Sequence, residues 1–360
     1  MPLVAHTQLP SYDRLSQEGH EVLDPERAVH QDIRELHIGL LNLMPDAALQ
    51  ATERQFMRLI GSCNRIAQFY IHVFTGPGVD RQGRAKDHVE QYYEDFEQLK
   101  IDGLDALVIT GANPANPDIT QEGFWPDLVA AMEWGGENTC SVLCSCLATH
   151  AAFQHFHGIE RTKLLDKRWG VYSHDVINQS HPLVANVNTR FDAPHSHVYG
   201  LTKEEVESVG GHVLAYSDEA DFHLAVSADG FRYVYFQGHP EYDIHSLLKE
   251  YKREAVRYVD DVRADYPPYP EHYFDDRAKN ILAEYHKYID SAKQAGDPPP
   301  DFPEKEIMPF VHNTWNDTGK AMFNTWLGLV YQLTNKERTK LFMPGVDPAD
   351  PLDWKQTKAA

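Results

Sequence analysis

The sequence predicts an α/β fold built on a largely parallel sheet with helices on both faces. Short apolar runs closed by Gly, Pro or Asn recur through the first 150 residues, and amphipathic segments stand between them. The last of these runs passes directly into a helix-like stretch rich in small residues, Cys146-Leu147-Ala148-Thr149-His150-Ala151-Ala152. In such sheets ligands bind beyond the carboxyl ends of the strands, so a reactive residue at that junction is well placed.

The strand-like runs are 36–44, 69–74, 104–109 and 141–147. Between them, 51–60 gathers Phe56, Leu59 and Ile60 on one helical face, and 125–134 does the same with Leu128, Val129 and Met132. Runs at 212–216, 222–226 and 232–236 are shorter and closely spaced, and are expected as antiparallel additions near one edge. Residues 265–310 differ: Tyr266-Pro267-Pro268-Tyr269-Pro270 and Asp297-Pro298-Pro299-Pro300 bracket a charged helix-like stretch, 276–294, which predicts an excursion over the surface. An amphipathic segment follows at 319–333. The polar residues 1–35 read as an arm on the surface or on another subunit, 36–335 as the main domain, and 336–360 as a tail.

The formal charge of −21, from 54 acidic against 33 basic residues, opposes binding to nucleic-acid phosphates and to anionic membranes. No apolar run approaches the ~18 residues of a membrane span, and Met1-Pro2-Leu3-Val4-Ala5-His6 lacks the basic and apolar regions of a signal peptide. A soluble, cytoplasmic protein is expected. Three of the four cysteines, Cys140, Cys144 and Cys146, crowd one turn, which does not resemble a disulfide framework.

Two segments carry chemistry. At a strand-to-helix turn a nucleophile sits at a tight bend, where the next residue's N–H and the helix N-terminus face a developing oxyanion. Cys146 lies nearest that turn; Cys144 falls within the strand and Cys140 before it. The simpler alternative makes all three small buried hydrophobes. A metal set from Cys144, Cys146, His150, His155 and His157 lacks the Cys-x-x-Cys spacing of a zinc site, so no metal is expected. Some ninety residues on, Gln237-Gly238-His239-Pro240-Glu241-Tyr242-Asp243 ends a β-branched and aromatic run. It places an imidazole two residues from a carboxylate that can orient it and stabilise its protonated form.

With these segments in place, the chain resembles the homoserine O-succinyltransferase family, homoserine O-acyltransferases of methionine biosynthesis. Leu41-Asn42-Leu43-Met44-Pro45, Ala51-Thr52-Glu53-Arg54-Gln55-Phe56, Asp105-Ala106-Leu107-Val108-Ile109-Thr110-Gly111-Ala112, Ala193-Pro194-His195-Ser196 and Phe323-Asn324-Thr325-Trp326-Leu327 carry the likeness with the two segments above. The resemblance implies a flavodoxin-like, class I glutamine amidotransferase-like fold. It makes Cys146 the acyl-accepting thiol, His239 the general base and Glu241 its partner. Lys167 and Arg253 match substrate-binding residues, and Ser196 one that affects substrate choice.

The implied chemistry is ping-pong: acyl-CoA is a co-substrate and no cofactor is held permanently. The N–H of Leu147 and an amide of Leu43 or Met44 are the expected oxyanion donors, and a homodimer is the expected assembly. Ungapped counting puts Ala115 at the acyl-donor position, where a small neutral residue favours succinyl-CoA over acetyl-CoA. The chain departs from the family at His197, commonly Arg, at Leu147, often aromatic, and in the length of 265–310. An acetyl-CoA-dependent or serine-type acceptor variant of the same family, a glutamine amidotransferase-like cysteine hydrolase and a non-catalytic paralogue stand as alternatives.

Overall fold

The computed structural model describes residues 3–20, 22–29, 34–63 and 67–355. Its strands are β1 (Leu3–Val4), β2 (Val22–Leu23), β3 (Glu35–Leu41), β4 (Gln68–Phe74), β5 (Ala106–Ile109), β6 (Ser141–Ser145), β7 (Thr162–Val176), β8 (Arg190–Gly200), β9 (His212–Ser217), β10 (Asp221–Val226) and β11 (Tyr233–Phe236). They form a single sheet in the order β2-β1-β4-β3-β5-β6-β11-β10-β9-β7-β8. Its centre, β4-β3-β5-β6-β11, is parallel throughout. Ranked by chain position, those five strands stand second, first, third, fourth, fifth, which is the flavodoxin-like order. No helix among the described residues is long and apolar enough to cross a membrane.

Period-two alternation explains why these strands are apolar on both faces. Ala106 and Val108 point to one side, where Phe56, Met57 and Ile60 of helix Leu49–Gly61 meet Phe323 and Trp326 of helix Asn316–Leu333. Leu107 and Ile109 point to the other, against Leu128 and Met132 of helix Trp125–Asn138 and Ala151 of helix Leu147–His157. Truncating a ring as buried as Phe323 to Ala costs about 3–5 kcal/mol.

Three expectations are corrected. The run at 232–236 becomes β11, which is antiparallel to β10 but parallel to β6, with Phe236 beside Ser145. Parallel pairing carries the chain after β11 to the same edge as the residue after β6. Next, the described residues before Leu36 are more than a surface arm: β1 pairs with β4 and β2 with β1, and Leu3, Leu9, Tyr12 and Leu15 are buried in the core. Residues 1–2, 21 and 30–33 of that expected arm lie outside the described residues, as do 356–360 of the expected tail, in which Trp354 is buried against His181 and His212.

The third correction concerns the excursion at 265–310. Tyr273, Phe274, Leu282 and Ile307 pack with Trp169, Leu248 and Tyr251 into a cluster of their own. Gly170 makes that docking possible, since a β-carbon there would lie 2.2 Å from the Glu271 carbonyl oxygen. Strand β8 turns Phe191, Ala193, His195 and His197 inward in alternation, but two of the four are histidines, so the run does not read as apolar, and Pro194 is tolerated because β8 is the edge strand.

Candidate active site

Cys146 is the hinge between β6 and helix Leu147–His157, and its φ of 50° and ψ of −105° are strained for a residue with a β-carbon. Neighbouring groups hold the strain. The Cys146 N–H donates to the Phe236 carbonyl at 2.7 Å, and the Thr149 hydroxyl, 3.0 Å from both the Cys144 and Phe236 carbonyls, bridges β6 and β11. Cys140 and Cys144 are fully buried, and burial pushes their thiols far above the ordinary range. Of the four cysteines only Cys146 is partly accessible.

His239 reaches the same edge because β11 is in register with β6. Its N–H donates to the Pro194 carbonyl at 2.8 Å. Gly238 is the only residue type that fits before it, since a β-carbon would lie 2.6 Å from His223 Nδ1 and 2.7 Å from His195 Nε2. His239 Nδ1 stands 2.8 Å from Glu241 Oε1, so Nδ1 carries the proton and Nε2 is left for Cys146, which lines the same cavity. Burial opposes charging this imidazole, but Glu241 and the Cys146 sulfur outweigh it and hold its pKa well above the usual value. Tyr242 stacks on the ring at 4.2 Å.

Cys146 and His239 open into a cavity of about 530 Å³ that also receives Lys167, Ser196, His197 and Arg253. Glu250, which the sequence reading missed, organises one wall. Its carboxylate accepts from Ser196 Oγ at 2.6 Å, Tyr242 Oη at 2.7 Å and Lys167 Nζ at 3.2 Å. Burial works against its ionisation, yet Lys167 and these hydrogen bonds keep its pKa below the usual carboxylate value. A signal existed: Ser246, Lys249, Glu250 and Arg253 follow the three-and-four spacing of one face of helix Ser246–Val259. Arg253 is more than half exposed, and its Nε lies 3.4 Å from the Glu254 carboxylate. His197 is buried, bonded to the Tyr199 carbonyl and to His195.

Two expected positions are not where the sequence reading put them. Ala115 is exposed and does not line the cavity, whereas Gly111 to Pro114 do. Arg161, stacked 4.0 Å over Tyr199, takes the carbonyls of Asn116 and Pro117 and turns the loop away after Pro114. Met44 lines the cavity, but its N–H donates to Asn42 Oδ1 at 3.2 Å, and the Leu43 N–H to Thr110 Oγ1 at 2.9 Å. Neither amide is free for an oxyanion. Leu147 N–H, at the start of its helix, has no intrahelical acceptor. Gly111 stands next to it: a β-carbon there would be 3.6 Å from Cys146 Cβ and 3.9 Å from Leu147 N. Cys144, Cys146, His150, His155 and His157 form no ligand cluster among the described residues.

A profile of the homoserine O-succinyltransferase family matches residues 2–336. A homoserine O-succinyltransferase of Methylobacter tundripaludum is 58% identical over 352 residues, covering 98% of this chain and 99% of that protein. One of Thiothrix nivea is 56% identical over 356 residues, with 99% of each chain covered. Among solved structures, a glutamine amidotransferase from Thermotoga maritima is 11% identical, covers 84% of this chain and 99% of that one, and gives a TM-score of 0.40.

Proposed function

The chain belongs to the homoserine O-succinyltransferase family, and from that premise we propose that it moves a succinyl group from succinyl-CoA to the homoserine hydroxyl through a thioester on Cys146. It is an O-acyltransferase of methionine biosynthesis. The observation that carries the mechanism is a strained, accessible Cys146 beside a His239 whose far nitrogen is held by Glu241.

In the first half-reaction His239 Nε2 takes the Cys146 proton and the thiolate attacks the thioester carbonyl of the donor. Leu147 N–H, with backbone beside Gly111, receives the oxyanion. Collapse expels the CoA thiolate, which leaves with the proton held on His239. In the second, His239 takes the proton of the homoserine hydroxyl, whose oxygen attacks the acyl-Cys146 carbonyl. The Cys146 thiolate departs and is reprotonated by His239. Glu241 stays ionised in both halves and stabilises the imidazolium.

Recognition of the acceptor follows from opposite charges on one helix face. Arg253 offers two parallel N–H groups to a carboxylate, and the Glu250 carboxylate, with Ser196, Tyr242 and Lys167 fixing it, meets the ammonium. The donor end is bounded by the neutral stretch Gly111 to Pro114, which accepts a succinyl carboxylate without like-charge repulsion. Such chemistry needs no permanent cofactor, and we place it in the cytoplasm, where acyl-CoA is formed and used. The test is to separate the half-reactions: succinyl-CoA alone should load Cys146, and added homoserine should discharge it.

A further inference from the structure

Away from this site, three side chains converge on one point beside β1 and β4: His6, following β1; His72, on β4; and Glu94, after helix Gly83–Tyr92. His6 Nε2 lies 3.4 Å from Glu94 Oε1, and His72 Nδ1 lies 2.9 Å from Glu94 Oε2. All three side chains are partly buried.

The outer partners of the two imidazoles suit metal-bound rings. His6 Nδ1 stands 3.2 Å from the Val4 carbonyl and 3.3 Å from Tyr12 Oη, so a metal-bound His6 would give its Nδ1 proton to Val4 and ligate through Nε2. His72 Nε2 is 2.8 Å from His37 Nδ1, and His37 Nε2 faces Glu35 Oε2 at 3.5 Å. With its proton on Nε2 toward Glu35, His37 would accept from His72 Nε2–H and leave His72 Nδ1 to ligate. His6, His72 and Glu94 each bring one ligand atom to within 4.8 Å of the other two.

We propose that His6, His72 and Glu94 bind a divalent transition metal, zinc by the character of the donor set. Two imidazoles and a carboxylate, with water in the fourth position, are a tetrahedral zinc set. Ligand atoms on such a tetrahedron stand roughly 3.4 Å apart for bonds of about 2.1 Å, near the spacings present here. Val4 and His37 are the outer partners that orient metal-bound imidazoles. The ion would fasten the segment after β1 to β4, three strands from Cys146's β6, so its role is structural.

The experiment uses the full chain stripped with a chelator and titrated calorimetrically with Zn²⁺ alone, then with Co²⁺ followed by visible absorption. One equivalent should bind, the melting temperature should rise with Zn²⁺ concentration, and the Co²⁺ spectrum should lack thiolate charge transfer. His72→Gln and Glu94→Gln should each weaken binding by about 100-fold or more, and His37→Gln by about 10- to 100-fold. Acyl transfer should survive in all three, which also reports folding; His6→Gln replaces any variant that does not fold. Substoichiometric binding, unchanged affinity in these variants, or a thiolate signature placing the metal on Cys146 would overturn the proposal. So would nitrogen NMR showing both imidazoles doubly protonated and indifferent to Zn²⁺.

Discussion

Ser196 Oγ donates a 2.6 Å hydrogen bond to Glu250 Oε2, joining the edge strand β8 to the helix that carries Arg253. Because the same carboxylate also takes Tyr242 and Lys167, Glu250→Gln keeps the shape but removes the charge offered to the acceptor ammonium. It should raise the homoserine Michaelis constant about 10- to 100-fold, the value of a hydrogen bond to a charged group. Acylation of Cys146 by succinyl-CoA, followed alone, should change little.

Arg253→Ala removes the partner of the acceptor carboxylate. The Michaelis constant for homoserine should again rise by about 10-fold or more, with the first half-reaction intact. Equal damage to both half-reactions would make Arg253 structural instead, and the comparison is made by rapid-quench measurement of each.

Glu241→Gln should cut turnover by about 100-fold or more, since the imidazolium loses its counter-charge. Stability gives an independent check. A histidine whose folded pKa is raised contributes stability that is fully present below its unfolded value of about 6.5 and is lost as pH rises through the folded value. The stability difference between the parent and Glu241→Gln should therefore be largest in mild acid and shrink in alkali. Urea unfolding across that range measures it.

Acid should destabilise the whole chain through the opposite sign. His174, His195, His197 and His223 form a buried cluster beside His239, and His150 is buried close by. Burial holds all five below the ordinary imidazole range, His150 and His174 at about 4. Their contribution is present above the unfolded pKa of about 6.5 and lost as pH falls toward the folded values. For His150 and His174 that loss is on the order of 3 kcal/mol each. A melting temperature that stayed flat from about pH 7 to about pH 4 would contradict it.

Donor choice should respond to Asn113 and not to Ala115. Asn113 lines the cavity, so Asn113→Glu sets a carboxylate against the succinyl carboxylate and should shift the ratio of kcat/KM values toward acetyl-CoA. Ala115→Glu, on the exposed part of the loop, should leave the preference alone.

What the sequence made legible was the local chemistry. An apolar strand running into small helix residues marks Cys146, and a strand ended by Gly238 and Pro240 marks His239 with Glu241, because both signals lie within a few consecutive residues. Signals that depend on long-range pairing were not legible. β11 reads as another short antiparallel strand, and only its pairing with β6 makes it parallel. β7 and β8 do not read as apolar strands because several of their buried positions carry histidine: His174, His195 and His197. Glu250 lies on a polar helix face that the sequence shows, but the cavity that face borders is formed by Ser196 and Lys167, more than fifty residues away. Ala115 was reached by counting through a loop whose path Arg161 decides.

Cys146 as the acyl carrier is tested most directly by intact mass after brief mixing with succinyl-CoA and no acceptor, followed by peptide mapping. One succinyl group per chain should appear, map to Cys146, vanish on adding homoserine, and be absent from Cys146→Ala but present in Cys140→Ala and Cys144→Ala. A label on Cys144, or turnover of homoserine by Cys146→Ala at the parent rate, would contradict it.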